Sequence, residues 1–404
     1  MLTWDEVPPE VRERITYLVR DFAAVSVAGR VTETARLAVE HASAEHPGDA
    51  ATALLDGRRL SATGAAWANG VLANALDFDD GHRLTKGHPG ANVIPAALAA
   101  SEAAHADEGQ LLVAIAVGYE VAIRAGIDLH ARSGEYHASG AWGAVGAAVA
   151  AARLLGCDAD ATRHALGLAE YHAPIAPIMR SVADPAMTKD ACGWGAFLGV
   201  SAALLARRGF TSAGSSFVER DRSTRADRWH LLDVYVKKFP CCRWAHPAIE
   251  AALELRNEAR LAPEQIARVG VRTFGAAAAI ARGIPATTEE AQYSLVWPVA
   301  VALAHGGFEV EHVLPPAFDD PLARRLGELV TVEVDPALES EFPARRRSAV
   351  TIETNDGARF ESGLMEAPGE PDDPRWPEIV DAKAETYADE GLFAPAGPLP
   401  ASSL

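Results

Sequence analysis

Between Pro8 and about Leu205 the apolar positions recur at helical spacing, and no stretch alternates with the two-residue period of a strand. Runs such as VRERITYLVRDFAAVSV, TETARLAVEHASAEH and QLLVAIAVGYEVAIRAGIDL each lay an apolar stripe along one helix face. Thr32, Ser139 and Asp158 stand where helices should start, and Gly156 closes the run AAVAAARLLG. The stretch GAWGAVGAAVAAA carries so little side chain that its helix should approach its neighbours closely. After Arg260 the period changes. ARVGVRTF, LVTVEVDP and SAVTIETNDGARFESGL alternate, and Asn355-Asp356-Gly357 is a hairpin signal. Two helical stretches, TEEAQYSLVWPVAVALAHG and PLARRLGELV, lie between these strands.

The expected fold class is mainly α: a large all-helical domain over residues 1–261 and a smaller α+β domain over 262–368. An amphipathic helix over 373–390 should pack back on the first domain, and the proline-bearing last dozen residues should be loose. A chain of 404 residues exceeds what one core usually supports, which agrees with two domains.

Charge removes several classes of partner. With 37 basic against 55 acidic residues the formal net charge is −18, and no Lys/Arg-rich block interrupts it. Nucleic acid and anionic membrane surfaces are therefore not expected partners. The apolar run Leu111 to Ile123 is broken by Glu120 and is too short to span a bilayer, so it reads as a buried core helix. The N-terminal segment MLTWDEVPPEVRER lacks the basic start and apolar run of an export signal, and a cytoplasmic location is expected. Cys157 and Cys192 are isolated, while Cys241 and Cys242 are adjacent, a spacing that suits buried thiols better than zinc ligation or a disulfide framework.

Chemistry concentrates in a few segments. ALDFDDGHRLTKGHPGANVIPAAL, residues 75–98, gathers Asp77, Asp79, Asp80, His82, Arg83, Lys86 and His88 in a dozen positions. A calcium loop is excluded because its twelfth position, counted from Asp77, is His88 and not Glu. A magnesium site for diphosphates would need a second acidic cluster, and His82 and His88 lack a zinc-ligand spacing, so no metal is expected. In GEYHASGAWGAVGAAVAAA the glycines follow GxxGxxG without a preceding strand, which excludes a dinucleotide fingerprint. His137 stands just before that helix. Lys189 lies ahead of another Gly/Ala helix, and Lys237, Lys238, Arg243 and His246, with Cys242 among them, make a basic island of four residues in an acidic chain. Such an island suits an anionic ligand.

Taken in order, ANALDFDDGH, HPGANVIPAAL, YHASGAWGAVGAAVAAARLLG, the Lys189 segment, KKFPCCRWAHPAIEAA and EEAQYSLVWPVAVAL resemble segments of the MmgE/PrpD family. The resemblance covers most of the chain. It implies a helical domain with a smaller α+β lid, a homodimer, no cofactor, and an active site in the cleft between the domains. It further implies that Asp77, His88, His137, Lys189 and Lys237 line that cleft and that Tyr293 reaches it from the lid. Family members include dehydratases, decarboxylases and epimerases of small acids. Where the decarboxylase branch reads DFDDT this chain has Gly81, the stretch on to His88 is one residue longer, and Cys242 stands where that branch has a histidine.

These residue types suit proton transfer next to a carboxylate, where developing negative charge needs nearby cations and a base within hydrogen-bond reach. The expected assignment places Lys189, Lys237 and Arg243 on substrate carboxylates, Asp77 or His137 as base and His88 as acid. Arg83, Lys86, Cys242 and His246 complete the expected substrate contacts. The activity expected is that of a lyase, most simply a dehydratase, on a small polycarboxylate, with epimerisation, decarboxylation or silent metabolite binding as alternatives.

Overall fold

The computed structural model describes residues 2–220 and 228–387. Helix accounts for 59% and strand for 11%, so the protein is mainly α. In the N-terminal part the helix Gly140–Leu154 is the hub, packed against Gly90–Ala104, Glu108–Arg132 and Cys192–Arg207. A Cβ on Gly146 would lie 2.3 Å from the Gly118 carbonyl oxygen, so these two helices touch backbone to backbone. Glu108–Arg132 is long and apolar enough to cross a membrane by composition, but Leu111, Ile115, Tyr119 and Ile123 are buried in the bundle.

Thr32 and Asp158 cap their helices as expected, accepting from the backbone of Ala35 and Ala161. Ser139 precedes its helix but makes no cap; its hydroxyl is used elsewhere, as described below. The N-terminal part is also not purely helical. Pro47–Thr52 pairs with Arg59–Leu60, and Gly81–His82 pairs antiparallel with Val234–Tyr235. Ladders this short leave no alternating pattern for the eye to find.

The C-terminal strands fall where the alternation predicts. A five-stranded sheet runs in the order Val330–Val334, Ile266–Thr273, Arg347–Thr354, Arg359–Glu361, with Met365–Glu366 also on Arg347–Thr354. Only the first pair is parallel. Its connection crosses over through the helices Val296–His305 and Pro321–Leu329, as a parallel pair requires. Gly357 takes φ 86° in the turn of the expected hairpin.

The helix His246–Glu258, which the sequence pattern groups with the first domain, packs on the sheet instead. Two apolar cores result, and the change between them falls near Phe239 rather than at 261. The second core also takes in Val25, Ala28, Leu76 and Phe78, so Asp77 sits on the seam between the two. The C-terminal helix, Trp376–Tyr387, lies on Pro9–Gly29, with the Tyr17 and Trp376 rings edge-on at 5.8 Å and a buried Lys383–Asp21 ion pair. The expectations for residues 388–390 and for the final dozen lie outside the described residues.

Candidate active site

The acidic loop divides its labour. Asp80 accepts from the Gly90 backbone N–H at 3.0 Å and from the Tyr119 hydroxyl at 2.6 Å, fixing the start of the next helix. Burial, with Asp79 adding to it, pushes the Asp80 carboxyl up to about 7. Asp79 accepts from the Asn74 amide at 3.0 Å and lies 3.2 Å from His88 Nδ1. The His88 ring also meets the Asp80 carbonyl through Nδ1 at 2.8 Å, which leaves Nε2 facing Asp77 at 3.2 Å and Asp190 at 3.7 Å. Of the three loop carboxylates, Asp77, Asp79 and Asp80, Asp77 alone borders the cavity described below.

The small ladder between Gly81–His82 and Val234–Tyr235 delivers Lys237 to that loop. Lys237 Nζ donates to Asp77 Oδ1 and to the Asp77 carbonyl, each at 2.6 Å, and the pair is fully buried. Lys189 approaches from ahead of Cys192–Arg207 and bonds the Gln292 side chain and, at 3.4 Å, the Ala75 carbonyl. Tyr293 donates to Asp190 at 3.2 Å, and Ser139 bridges the remaining gap, donating to Asp190 at 2.9 Å while accepting from the His88 N–H. Asp77 (φ 51°) and Lys189 (φ 41°) both occupy the left-handed backbone region, a strain that concentrates at functional sites.

The electrostatics follow from this crowding. Burial opposes ionisation of Asp77, but Lys237 and the His88 and Lys189 cations outweigh it and hold the carboxyl well below the usual range. Burial likewise opposes the imidazolium of His88; Asp79, Asp190 and Asp77 reverse this and raise it well above an ordinary histidine. Burial lowers Lys189, with Asp77 and Asp79 offsetting part of the effect. The Cys242 thiol, pushed up to about 12 by burial and then by Asp77, stays neutral. The crowding therefore favours an ionised Asp77, paired with Lys237, beside a protonated His88.

Asp77, Lys86, His88, Lys237, Cys242, Arg243 and Tyr293 border one cavity of about 50 Å³, together with Asp190, Tyr235 and Arg346. That is room for a few water molecules. A larger cleft of about 500 Å³, bordered by Val117, Arg153, Cys157 and Val218, lies elsewhere on the helical bundle and has none of this chemistry.

Four expected residues are not on the cavity wall: Lys189, which borders a separate cleft of about 380 Å³ together with Thr188 and Cys192, and three others. His137 lies outside its wall, with Nε2 3.0 Å from the Ser133 hydroxyl and its ring stacked on His130. His246 is fully buried against Phe239 and bonds the Cys241 carbonyl; burial and then Arg243 hold it well below the usual histidine value, so it is a neutral core residue. Arg83 turns to the lid, where it shares Glu370 with Arg243 at 2.6 and 3.0 Å. Sequence reasoning missed Asp190, Tyr235, Gln292 and Arg346. Asp190 and Gln292 are direct neighbours of Lys189 and Tyr293, a signal that was available; nothing in the pattern marks Tyr235 or Arg346.

Gly81 has a physical reason. A Cβ there would lie 2.3 Å from the Tyr235 hydroxyl, so Tyr235 fills the space that a side chain at position 81 would take. Gly81→Thr should therefore lose about 1–3 kcal/mol of stability by overpacking, measured as a fall in thermal midpoint. Pairing it with Tyr235→Ala should return most of that loss, and no recovery would contradict the steric account.

Donor atoms of Asp77, His88 and Asp190 lie within 4.8 Å of one another, close enough to hold a cation. The Lys237 ammonium already donates to Asp77, and the carboxylates around His88 favour its protonated form, which would have to lose a proton to ligate, so the set suits proton transfer.

Carboxylates, an imidazole and cations are thus gathered in one cavity where the two apolar cores meet. The MmgE/PrpD N-terminal domain matches residues 1–226 and the MmgE/PrpD C-terminal domain matches residues 239–395. The chain belongs to the MmgE/PrpD family. It is 26% identical over 403 residues to a cis-aconitate decarboxylase of Aspergillus terreus, covering 88% of this chain and 81% of that protein. A human cis-aconitate decarboxylase is 28% identical over 332 residues, covering 75% of this chain and 67% of that protein. A cis-aconitate decarboxylase-like protein of Aspergillus oryzae is 23% identical over 400 residues, with 88% and 82% covered.

Proposed function

We propose that this protein is a lyase that breaks a bond at the carbon next to a carboxylate of a small polycarboxylate, and that the bond broken is the one to CO2. The observation that carries this reading is His88, a buried imidazole whose Nε2 lies 3.2 Å from Asp77 on the wall of the cavity that Lys237 also borders, with carboxylates around it that favour its protonated form. When a carboxylate leaves as CO2, its bonding pair stays on carbon and spreads into the neighbouring acid group. Lys237, on the cavity wall, stabilises that charge, and His88 Nε2–H supplies the proton that ends it. Such a step needs an acid and cations, and no group acting as a strong base.

Dehydration would need a base with a matched pKa. Asp77 is held too low to serve well, and His137 is outside the wall. The second reading stays open because Gly81 and Cys242 depart from the decarboxylase pattern. The relatives' names favour loss of CO2.

A panel of cis-aconitate, citrate, 2-methylcitrate and citraconate, incubated in deuterated water and followed by NMR, separates the readings. Decarboxylation gives one equivalent of CO2 and one deuterium on carbon, either at the carbon it left or, where the double bond shifts, at the far end of the allylic system. An alkene formed from a hydroxy acid without CO2 would establish dehydration instead, and no change in any compound would contradict the lyase reading.

A further inference from the structure

The cations around the cavity are not equally occupied. Lys237 is paired with Asp77, and Arg243 shares Glu370 with Arg83. Lys189 is bonded to Gln292 and the Ala75 carbonyl. Lys86 and Arg346 border the same cavity, and neither has a carboxylate within ion-pair distance among the described residues. Lys86 Nζ is buried without a hydrogen-bond partner, 2.9 Å from the centroid of the Tyr136 ring and 4.7 Å from that of Phe342. Arg346 is 5% exposed; one of its Nη atoms donates to the Arg83 carbonyl at 2.9 Å, but its Nε is buried and unpartnered. A buried ammonium and a buried guanidinium with no carboxylate within ion-pair distance are costly to keep charged unless an anion compensates them.

We propose that Lys86 and Arg346 form a second anion subsite that grips an acid group of the substrate remote from the reacting carbon. The substrate class is then a dicarboxylate or larger, and a monocarboxylate of the same skeleton is refused. Because Lys86 belongs to the helical loop and Arg346 precedes the lid strand Arg347–Thr354, one bound carboxylate would tie the two units together across the seam. The inference rests on the proposed reading of the cavity as a carboxylate site, and extends it to residues that no proton-transfer step requires.

The groups facing Lys86 sharpen the test. Burial, and then Arg346, pull its ammonium down to about 7. His130, itself lowered to about 4 by burial with His137 and Lys86 contributing, faces it from the helical side. Asp77, Asp190, Lys237 and Arg243 lie on the remaining walls. Lys86 is charged below about pH 7 and neutral above, so affinity for a dianion should fall as pH rises through that value.

The experiment is calorimetric binding of tricarballylate, with butyrate as the monoacid control, to the whole protein and to Lys86→Met, Arg346→Met and Lys86→Arg. Loss of a charge-assisted contact predicts about 10- to 100-fold weaker tricarballylate binding by each Met variant. Lys86→Arg should keep the affinity and lose its fall above neutral pH, a readout that a merely structural lysine would not move. Butyrate should bind no better than marginally to any of them. If the unaltered protein binds tricarballylate and the Met variants bind it equally well, the subsite is wrong while the site reading stands. If the unaltered protein binds no polycarboxylate at all, the site reading fails first. Circular dichroism of each variant identifies misfolding, and with Lys86→Arg folded the pH arm still decides the case.

Discussion

Replacing His88 with glutamine should lower turnover by about 10²- to 10⁴-fold, the usual contribution of a positioned acid, while KM moves by only a few-fold. Glutamine can still donate to the Asp80 carbonyl that His88 Nδ1 meets at 2.8 Å, so the loop should hold. What it cannot do is carry the proton kept between Asp77, Asp79 and Asp190. Steady-state kinetics on the substrate found by the NMR panel, with circular dichroism as a folding control, checks this. Turnover retained above a tenth of the original would remove His88 from the proton-transfer role.

Lys237→Met should be the most damaging single change to the folded state. It leaves Asp77 buried without the ammonium that sits 2.6 Å away, and breaking a buried pair from one side costs about 3–5 kcal/mol. Chemical denaturation measures the loss directly. The double variant Asp77→Asn with Lys237→Met removes both charges and should recover most of the stability without recovering activity. If the single variant were as stable as the original, the pair would not be the electrostatic anchor described here. The same pairing fixes a pH dependence. Because Asp77 is depressed by its partners, its contribution is complete above the ordinary carboxylate range, about pH 4, and declines as pH falls below it.

Much of this architecture was legible in residue order, for reasons that differ by element. The sheet strands alternate because one face packs on helices, so ARVGVRTF and SAVTIETNDGARFESGL declared themselves. The helix His246–Glu258 was assigned to the wrong neighbour because an amphipathic stripe tells which face is buried, not against what. Asp77, His88, Lys237 and Tyr293 were expected together because charged and imidazole groups in apolar segments need a reason to be there, and they border one cavity, while Lys189 stands outside its wall. His137 and His246 looked identical by that test, and one ended against Ser133 and the other in the core. Arg346 and Tyr235 were invisible because their importance comes from distant chain brought close by a two-residue ladder and a lid loop.

The account depends on His88 standing ready as an acid, and its protonation state can be read in the intact protein. Long-range ¹H–¹⁵N correlation of the histidine rings, with His88→Gln used for assignment, is the direct measurement. A free imidazole titrates near about 6.5 and is neutral at about pH 8. The arrangement of carboxylates predicts that both His88 nitrogens still carry protons there, and that adding tricarballylate shifts the Nε2 resonance. A His88 ring that is neutral at that pH, or blind to the added acid, would contradict it.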